Sequence, residues 1–408
     1  MRHAKALVAV ALFTTVGIAC ADMNDSMSLD SRKSGRGDND SGDPNGAGSS
    51  SSGGGAAPEF GSPAATGVVV AHSATFPSFR LCFENYPDKL PQPDSKVMPG
   101  ANVVGVEVGG AVRIDALPEA AGMVYVIDEA RIRVESGAED ARTCGQLISE
   151  IGGDALSNPL IAYRDYYFAT KIERPLGVGN VDVLAITGCA DAVTIRGLDQ
   201  LAAPPAAGTP AVASCGGDWK PVEGNLAATA LTLAASPDGP TESEIPVAIF
   251  NLSPAAAAVS ASVEVKFGPE IDAGAEAQVS LPLNATAFET GGEARLAVDQ
   301  TKEESYGRLG FDVISTIDAQ KVTRRQSLAD VQQLSAPGDI PTTYYRAASN
   351  YALLVLGDPS HSEERAGGGA NPAFNPRRAL HIVAVPVLDP AILADAGAEA
   401  EADASTTP

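Results

Sequence analysis

The 408-residue chain has few aromatic side chains, few basic residues relative to acidic ones, and few histidines. Aromatic residues make up 5% of the sequence, so a carbohydrate-binding platform of stacked rings has few candidates. The 28 Lys and Arg against 51 Asp and Glu give a net charge of -23, which excludes nucleic acid and anionic membrane surfaces as partners. Beyond the first twenty residues no apolar run approaches the roughly 18 residues of a membrane-spanning helix, so we expect none.

The sequence also lacks the motifs of common catalytic and metal sites. There is no HExxH, no GxSxG with a downstream histidine, no phosphate-binding Walker loop and no dinucleotide fingerprint outside the low-complexity tracts. No cysteine spacing resembles a CxxC metal or redox site. After the N-terminal segment, His72 lies at a strand end, His361 in a loop and His381 within a strand, where structural roles are expected. We therefore expect no catalytic residue, no metal and no cofactor.

Residues 1–19 have the pattern of a signal peptide. Basic residues near the start precede an uncharged, mostly apolar run that is too short for a permanent membrane helix. The segment GIAC at 17–20 resembles the lipobox of bacterial lipoproteins, although that motif prefers Leu at its first position. The resemblance implies acylation of Cys20, which would then become the mature N-terminus. The alternative is ordinary cleavage after Ala19 or Ala21.

Residues 20–66 form a tract rich in Ser, Gly, Asp and Asn that cannot bury enough apolar surface to fold. We expect a lipidated Cys20 and a disordered tether that holds the folded part away from the membrane. Ala21 stands where lipoproteins retained in the inner membrane carry Asp, which favours an exported lipoprotein of the outer membrane or cell surface. The acidic, Ala-rich residues 391–408 are expected to be a disordered tail.

Setting Cys20 apart leaves an even number of cysteines. In an exported chain these are expected to form disulfides, and four cysteines allow three pairings that sequence alone cannot rank firmly. We favour Cys82 with Cys144 and Cys189 with Cys215, each bridge contributing about 2–4 kcal/mol. Buried free thiols are the alternative.

The remaining chain contains two sets of short strands, 67–236 and 245–390, separated by a breaker-rich linker at 237–244. Many short strands with Gly and Pro turns predict an all-β fold of sandwich or barrel type with minor helical insertions. Helices are predicted at 139–151 and 326–335. Strands are predicted at 67–73, 79–83, 102–108, 111–117, 122–128, 130–136, 181–188, 224–234, 245–253, 259–268, 276–283, 293–299, 309–315, 351–358 and 378–387.

The two sets share sequence features in the same order. In each, a tyrosine pair, at 166–167 and 344–345, precedes a strand that ends in glycine, LAITG at 184–188 and LLVLG at 353–357. We interpret this as a divergent tandem duplication.

The strand openings at 71–83, AHSATFPSFRLCF, and 250–263, FNLSPAAAAVSASV, carry a further pattern. They resemble the motif V-x-H/N-x-S-P-x-A-P-x-V-D of a bacterial β-sandwich domain of unknown function, often tandem on secreted or lipid-anchored proteins. The motif's Asp is absent, and Arg80 or Ser260 stands near its place. The resemblance implies two tandem immunoglobulin- or prealbumin-like β-sandwiches and no established activity. The matching residues are His72, Asn251, Ser253, Pro254 and Val259.

These features predict a binding, adhesion or structural role at the cell envelope, with a surface protein or a polysaccharide as partner and the lipid anchor in the membrane. The alternative is a secreted polysaccharide hydrolase with two carboxylates about 5–10 Å apart, but the 51 acidic residues single out no pair. Tyr163 is a further ring that could form a sugar platform, although packing beside a core strand with a hydroxyl hydrogen bond suits such rings at least as well and is favoured. The ligand-binding candidates are Tyr166, Tyr167, Tyr344, Tyr345 and Trp219.

Overall fold

The computed structural model describes residues 63–389 except 95–104, 133–141, 152–159, 210–214, 235–238, 254–261, 270–278, 284–289, 300, 303–307, 318–319, 336–344, 346–347 and 362–377. The predicted signal peptide, Cys20, most of the tether, Tyr344 and the acidic tail lie outside the described residues. Within the described part, none of the helices has the length and apolar character needed to cross a membrane.

The described residues are mostly β-structure, which confirms the all-β prediction. The helices are short: α1 (Glu129–Ile132), α2 (Cys144–Ser149), α3 (Ala192–Leu198) and α4 (Leu328–Ser335). The strands are β1 (Gly67–His72), β2 (Phe79–Phe83), β3 (Ala111–Ile114), β4 (Gly122–Asp128), β5 (Tyr166–Ile172), β6 (Val181–Thr187), β7 (Ala227–Leu233), β8 (Glu244–Asn251), β9 (Ser262–Pro269), β10 (Val279–Leu283), β11 (Thr290–Ala297), β12 (Leu309–Ile317), β13 (Gln320–Ser327), β14 (Asn350–Leu356) and β15 (His381–Val387).

These strands form four sheets, which we name A (β3-β1-β6-β7), B (β2-β4-β5), C (β11-β8-β14-β15) and D (β10-β9-β12-β13). In sheet A, β1 lies antiparallel to β3 and parallel to β6, and β6 lies antiparallel to β7. Sheet C has the same pattern, with β8 antiparallel to β11, β8 parallel to β14, and β14 antiparallel to β15. Sheets B and D are antiparallel.

Alternate residues of β1 enter two different cores. Val68 and Val70 lie in a cluster shared with sheet B, whereas Val69 and Ala71 lie in a cluster shared with sheet C. We call the second cluster the junction core, since its members come from β1, β6 and β7 on one side and β8, β14 and β15 on the other. A strand covered on both faces needs apolar residues at every position, which explains the continuous run GVVVA at 67–71.

The outer sheet D is built differently. In β9, Val263, Val265 and Phe267 are buried in a core shared with sheet C, whereas Glu264 and Lys266 are half-buried on the other face. This strand therefore alternates with period two, as expected for a sheet that covers a core on one side only.

Most predicted strands are present with bounds shifted by a few residues, but the strand predicted at 130–136 is wrong where the structure describes it. The chain turns into α1 at Glu129 instead. The Glu129 N–H donates to Ser78 O (3.0 Å), and its carboxylate pairs with Arg80 (2.6 Å), which together end β4 at Asp128. Of the strand predicted at 102–108, the described residues form only a single bridge, from Val106 to Phe79.

The helix predicted at 139–151 is observed in shortened form as α2. Thr143 accepts the Gln146 N–H (3.4 Å), and Gln146 Oε1 accepts the Thr143 N–H (2.8 Å), so a capping box fixes the first turn. The predicted helix 326–335 corresponds to α4. Helix α2 covers the outer face of sheet B, where Cys144 and Leu147 contribute to a small core.

Candidate functional site

The two disulfides connect the pairs that the sequence analysis favoured. Cys82 on β2 is bonded to Cys144 on α2, with Cα atoms 5.3 Å apart, and Cys189 is bonded to Cys215, with Cα atoms 5.5 Å apart. Disulfides persist in oxidising compartments, so these bridges indicate an exported protein.

Each of the three histidines after the N-terminal segment is held in a structural contact. His72 ends β1 with its ring fully buried 4.6 Å from the Phe79 ring, and its Nε2 lies 3.1 Å from Pro77 O. Burial lowers the pKa of His72 to about 4, because the charged ring would lose its water. His381 on β15 is also buried, with Nδ1 2.7 Å from Ala379 O and Nε2 2.7 Å from Gly109 O.

His361 takes part in a charged cluster that joins the two strand sets. Its Nε2 lies 3.4 Å from Asp199 Oδ1 at the end of α3, and its Nδ1 lies 3.9 Å from Asp358 Oδ2. Arg378 donates to the same Asp199 carboxylate. Burial alone would raise the pKa of Asp199, but the hydrogen bonds and charges of His361 and Arg378 outweigh burial and lower it. The cluster therefore links the two strand sets through a carboxylate that is paired with two side chains of the second set.

The aromatic candidates for ligand binding are mostly buried, which corrects the sequence analysis. Tyr166, Tyr167, Tyr345 and Trp219 all lie in the core, while Tyr344 is outside the described residues. Tyr345 donates to Leu328 O (2.7 Å), and Trp219 Nε1 donates to Ala190 O (2.8 Å). These rings pack cores and satisfy backbone groups, so their faces are not available to stack on a ligand.

Two neighbouring carboxylates have pKa values displaced in opposite directions, the pattern sought for a glycosidase pair. Burial raises the pKa of Asp128. Burial also acts to raise that of Asp165, but hydrogen bonds from Arg164 and the Ile161 N–H, with the charge of Arg131, lower it. Both Asp165 oxygens are occupied by these partners at 2.8–3.0 Å. Asp165 therefore fixes a turn rather than offering a free nucleophile.

Several exposed apolar side chains of the described residues lie on elements that are linked by direct contacts. Tyr163 is 37% exposed, Val193 62% and Val222 75%, and we call these three residues the Tyr163 surface. Tyr163 and Val193 contact the buried Tyr167–Asp191 pair, in which the Tyr167 hydroxyl donates to the Asp191 carboxylate, and Val222 is linked to it through the neighbouring Pro221.

The contacts around this pair hold together the three chain segments that carry these residues. The Tyr163 ring lies edge-on to the Tyr167 ring at 5.7 Å. Asp191 caps α3 by accepting the Val193 N–H at 2.8 Å. The Ala192 N–H donates to Pro221 O (2.8 Å), directly before Val222. The surface is therefore assembled from a turn, a helix start and a loop that meet at one point.

All three elements of the Tyr163 surface are rigidly held. Tyr163 has a φ of 60°, uncommon for a bulky residue, and its N–H donates to Tyr166 O (2.9 Å). The loop that carries Val222 is fixed by the Cys189–Cys215 bridge and by the Trp219 hydrogen bond. Preorganised apolar side chains bind a partner with little further loss of entropy. Sequence patterns named Tyr163 as a possible binding ring but not Val193 or Val222, because the tertiary contacts of Tyr167 and Asp191 bring their segments together.

Among the described residues no group of three or more His, Cys, Asp or Glu side chains is arranged to hold a metal ion. Comparisons of the chain with protein-family models, curated proteins and solved structures found no match.

Proposed function

We propose that this protein is a non-catalytic, lipid-anchored protein of the outer membrane or cell surface that binds a protein partner through the Tyr163 surface. The observation that carries the proposal is the convergence of Tyr163, Val193 and Val222 on rigid elements of the first strand set. The three histidines and the Asp165 carboxylate support a non-catalytic role, because each is occupied by a structural partner.

The anchor is proposed from the lipobox resemblance at 17–20, and the disulfides support it by indicating export. Two or three acyl chains on Cys20 would hold the protein stably at a membrane, whereas a single chain would be marginal. The Ser- and Gly-rich tract that follows would let the folded part reach partners roughly 35–40 Å from the anchor.

We further propose that the chain is a tandem pair of β-sandwiches derived by duplication. Sheets A and B would form the first sandwich and sheets C and D the second. The repeated strand pairing of sheets A and C supports this, as does its register, in which Leu184 pairs with Val70 and Leu353 with Ile249. The segments LAITG and LLVLG thereby occupy the same place in the two sheets.

A protein partner is favoured over a polysaccharide by the chemistry of the surface. Two of its three side chains are aliphatic, and aliphatic groups offer sugars neither a stacking face nor a hydrogen bond. Apolar side chains on a preorganised surface are typical of protein–protein contacts, with a polar rim around them. Lys220, which is paired with Glu223 (2.9 Å), lies in the same loop as Val222 and would belong to that rim.

The proposal is tested on protein extracted in mild detergent from its native membrane. Its intact mass should correspond to a chain that begins at an acylated Cys20. Its native mass should exceed that of the chain alone, and the Val222→Asp variant should lose this excess, because a carboxylate in an apolar contact is costly to desolvate. Val178→Asp is the matched control, since Val178 is 53% exposed elsewhere.

Protease and glycosidase treatments identify the partner class. If protease removes the excess mass and Val222→Asp abolishes it, the partner is a protein. If glycosidase removes the excess mass instead, the partner of this surface is a polysaccharide. Equal native masses for wild type and both variants would refute the Tyr163 surface as a binding site. An unmodified N-terminus would refute the lipid anchor. It would not affect the test of the Tyr163 surface, which depends only on the native masses.

A further inference from the structure

His72 stands where the two strand sets meet, beside two contacts that cross between them. Ser73, the next residue, donates its hydroxyl proton to Leu252 O of the second set. The His72 N–H donates to Gly110 O (2.9 Å), and its carbonyl accepts the Gly109 N–H (3.1 Å). Gly109 O in turn lies 2.7 Å from Nε2 of His381, in the second set. The backbone at His72 is therefore part of the junction itself.

The second strand set places an asparagine at the corresponding position. In sheet A His72 pairs with Ile186, and in sheet C Asn251 pairs with Val355. The side chains also make the same local bond: Ala74 N–H donates to His72 Nδ1 (3.4 Å), and Ser253 N–H donates to Asn251 Oδ1 (3.1 Å). Both side chains thus act as an acceptor for the N–H two residues later.

These contacts specify which nitrogen of His72 carries the proton. Nδ1 faces the Ala74 N–H and must be an acceptor, whereas Nε2 faces Pro77 O and must be a donor. A second proton could only be added at Nδ1, where it would oppose the Ala74 N–H. The Asn251 amide at the corresponding position has no such alternative state.

Among the described residues, the charge that acts on this ring is positive, so it does not favour protonation. The ring lies against Phe79, and the charge that acts on it is the positive charge of Arg378. Two acids of the junction, Asp199 and Asp358, are paired with Arg378 and His361 respectively. His381 is on the other side of the Gly109 turn. In the described part of the chain, protonation would therefore place a positive charge in a buried site next to another positive charge, which is costly.

We propose that His72 is an acid-sensitive residue of the junction between the two strand sets. Its protonation at Nδ1 weakens the contacts that hold the sets together. The pKa of about 4 in the folded protein, against an ordinary value of 6.5, agrees with the geometry. The unfolded or open form binds the proton first, so the stabilisation is complete above pH 6.5 and is lost as the pH falls toward 4. Acid would thereby expose the apolar faces of sheets A and C.

The experiment measures amide hydrogen exchange of the full-length chain at pH 7 and pH 4.5, corrected for the intrinsic exchange rate. Peptides covering β1 and β8 should lose protection by at least about tenfold at pH 4.5, whereas β2 should lose less. In His72→Asn, which copies the residue at 251, the acid-induced loss should be markedly smaller. His381 and Asp199, whose pKa values are both lowered, remain in this variant, so a smaller residual loss is expected.

A second measurement needs no variant. The imidazole nitrogen shifts of His72 in the wild-type protein should show an unprotonated Nδ1 from pH 7 down to about pH 5. Titration of His72 near 6.5 without loss of protection would overturn the proposal. So would an acid-induced loss in His72→Asn as large as in the wild type. These readouts do not depend on a binding partner, so their outcome is separate from that of the Tyr163 surface.

Discussion

Gly188 and Gly357 show how closely the two strand sets agree at single residues. Each follows the last residue of a strand, β6 or β14, and each has a left-handed backbone, with φ of +81° and +85°. A Cβ at Gly188 would overlap Asn225 O, and one at Gly357 would overlap Ala379 O, on the neighbouring chain segment in each case. Both positions therefore need glycine for conformation and for space.

Gly188→Ala and Gly357→Ala should each reduce the free energy of unfolding by about 2–4 kcal/mol, since backbone strain adds to a steric overlap with backbone atoms. Gly179→Ala is the matched control: its φ is +72°, but a Cβ there has nothing within 4 Å. That change should cost about 1 kcal/mol. Urea unfolding measures all three, and equal losses would show that the overlaps at 188 and 357 are relieved at no cost.

At the scale of elements, the disulfides fix two different structures. The Cys82–Cys144 bridge closes a separation of 62 residues and attaches α2 to sheet B. The Cys189–Cys215 bridge closes 26 residues and holds the loop that contains Trp219 and Val222. A longer closed loop restricts the unfolded chain more, although the difference grows only with the logarithm of length.

Replacing both cysteines of either bridge by alanine should lower the free energy of unfolding by about 3–4 kcal/mol. The two double variants should differ in local structure. Loss of the Cys189–Cys215 bridge should shift the Trp219 emission, because the Trp219 hydrogen bond to Ala190 O depends on that loop. Loss of the Cys82–Cys144 bridge should leave the emission unchanged, and an equal shift in both variants would contradict this separation.

The elements that sequence patterns predicted are those with a clear apolar period. The continuous run of β14 and the alternation of β9 are both readable, because burial on two faces or one dictates them. Strand β13, QKVTRRQS, was missed since its ladder with β12 is made by backbone groups that do not require apolar side chains. Strand β5 and the helix α3 were missed too, and with them the contact between Tyr167 and Asp191 from which the Tyr163 surface is built.

At the scale of the whole molecule, the junction core was beyond sequence reasoning. A continuous apolar strand indicates that both faces are covered, but it does not say by what. In the structure the second face of sheet A is covered by sheet C, so Ala71 of the first set and Leu354 of the second lie in one cluster. The chain between β7 and β8 consequently joins two strand sets that share buried surface.

The two strand sets should therefore unfold together. Leu354 is fully buried in the junction core, and Leu354→Ala should cost about 2–5 kcal/mol. Trp219, the sole tryptophan, reports on the first set, and its fluorescence transition in urea should move to lower urea along with the far-ultraviolet circular dichroism. Leu334→Ala is the control, because Leu334 is 51% exposed. If the urea midpoint of the Trp219 transition does not change in Leu354→Ala, the two sets unfold independently.

A core shared by both strand sets also matters while the protein is being made. Synthesis proceeds from the N-terminus, so β1, β6 and β7 are complete before β14 and β15 exist. At about 5–20 residues per second, the stretch from Leu233 to Val387 takes roughly 10–30 s to emerge. Throughout that interval Val69, Ala71 and their neighbours lack the partner that covers them in the finished fold. If the first set folds before the second is available, these apolar residues are exposed and make it prone to aggregation.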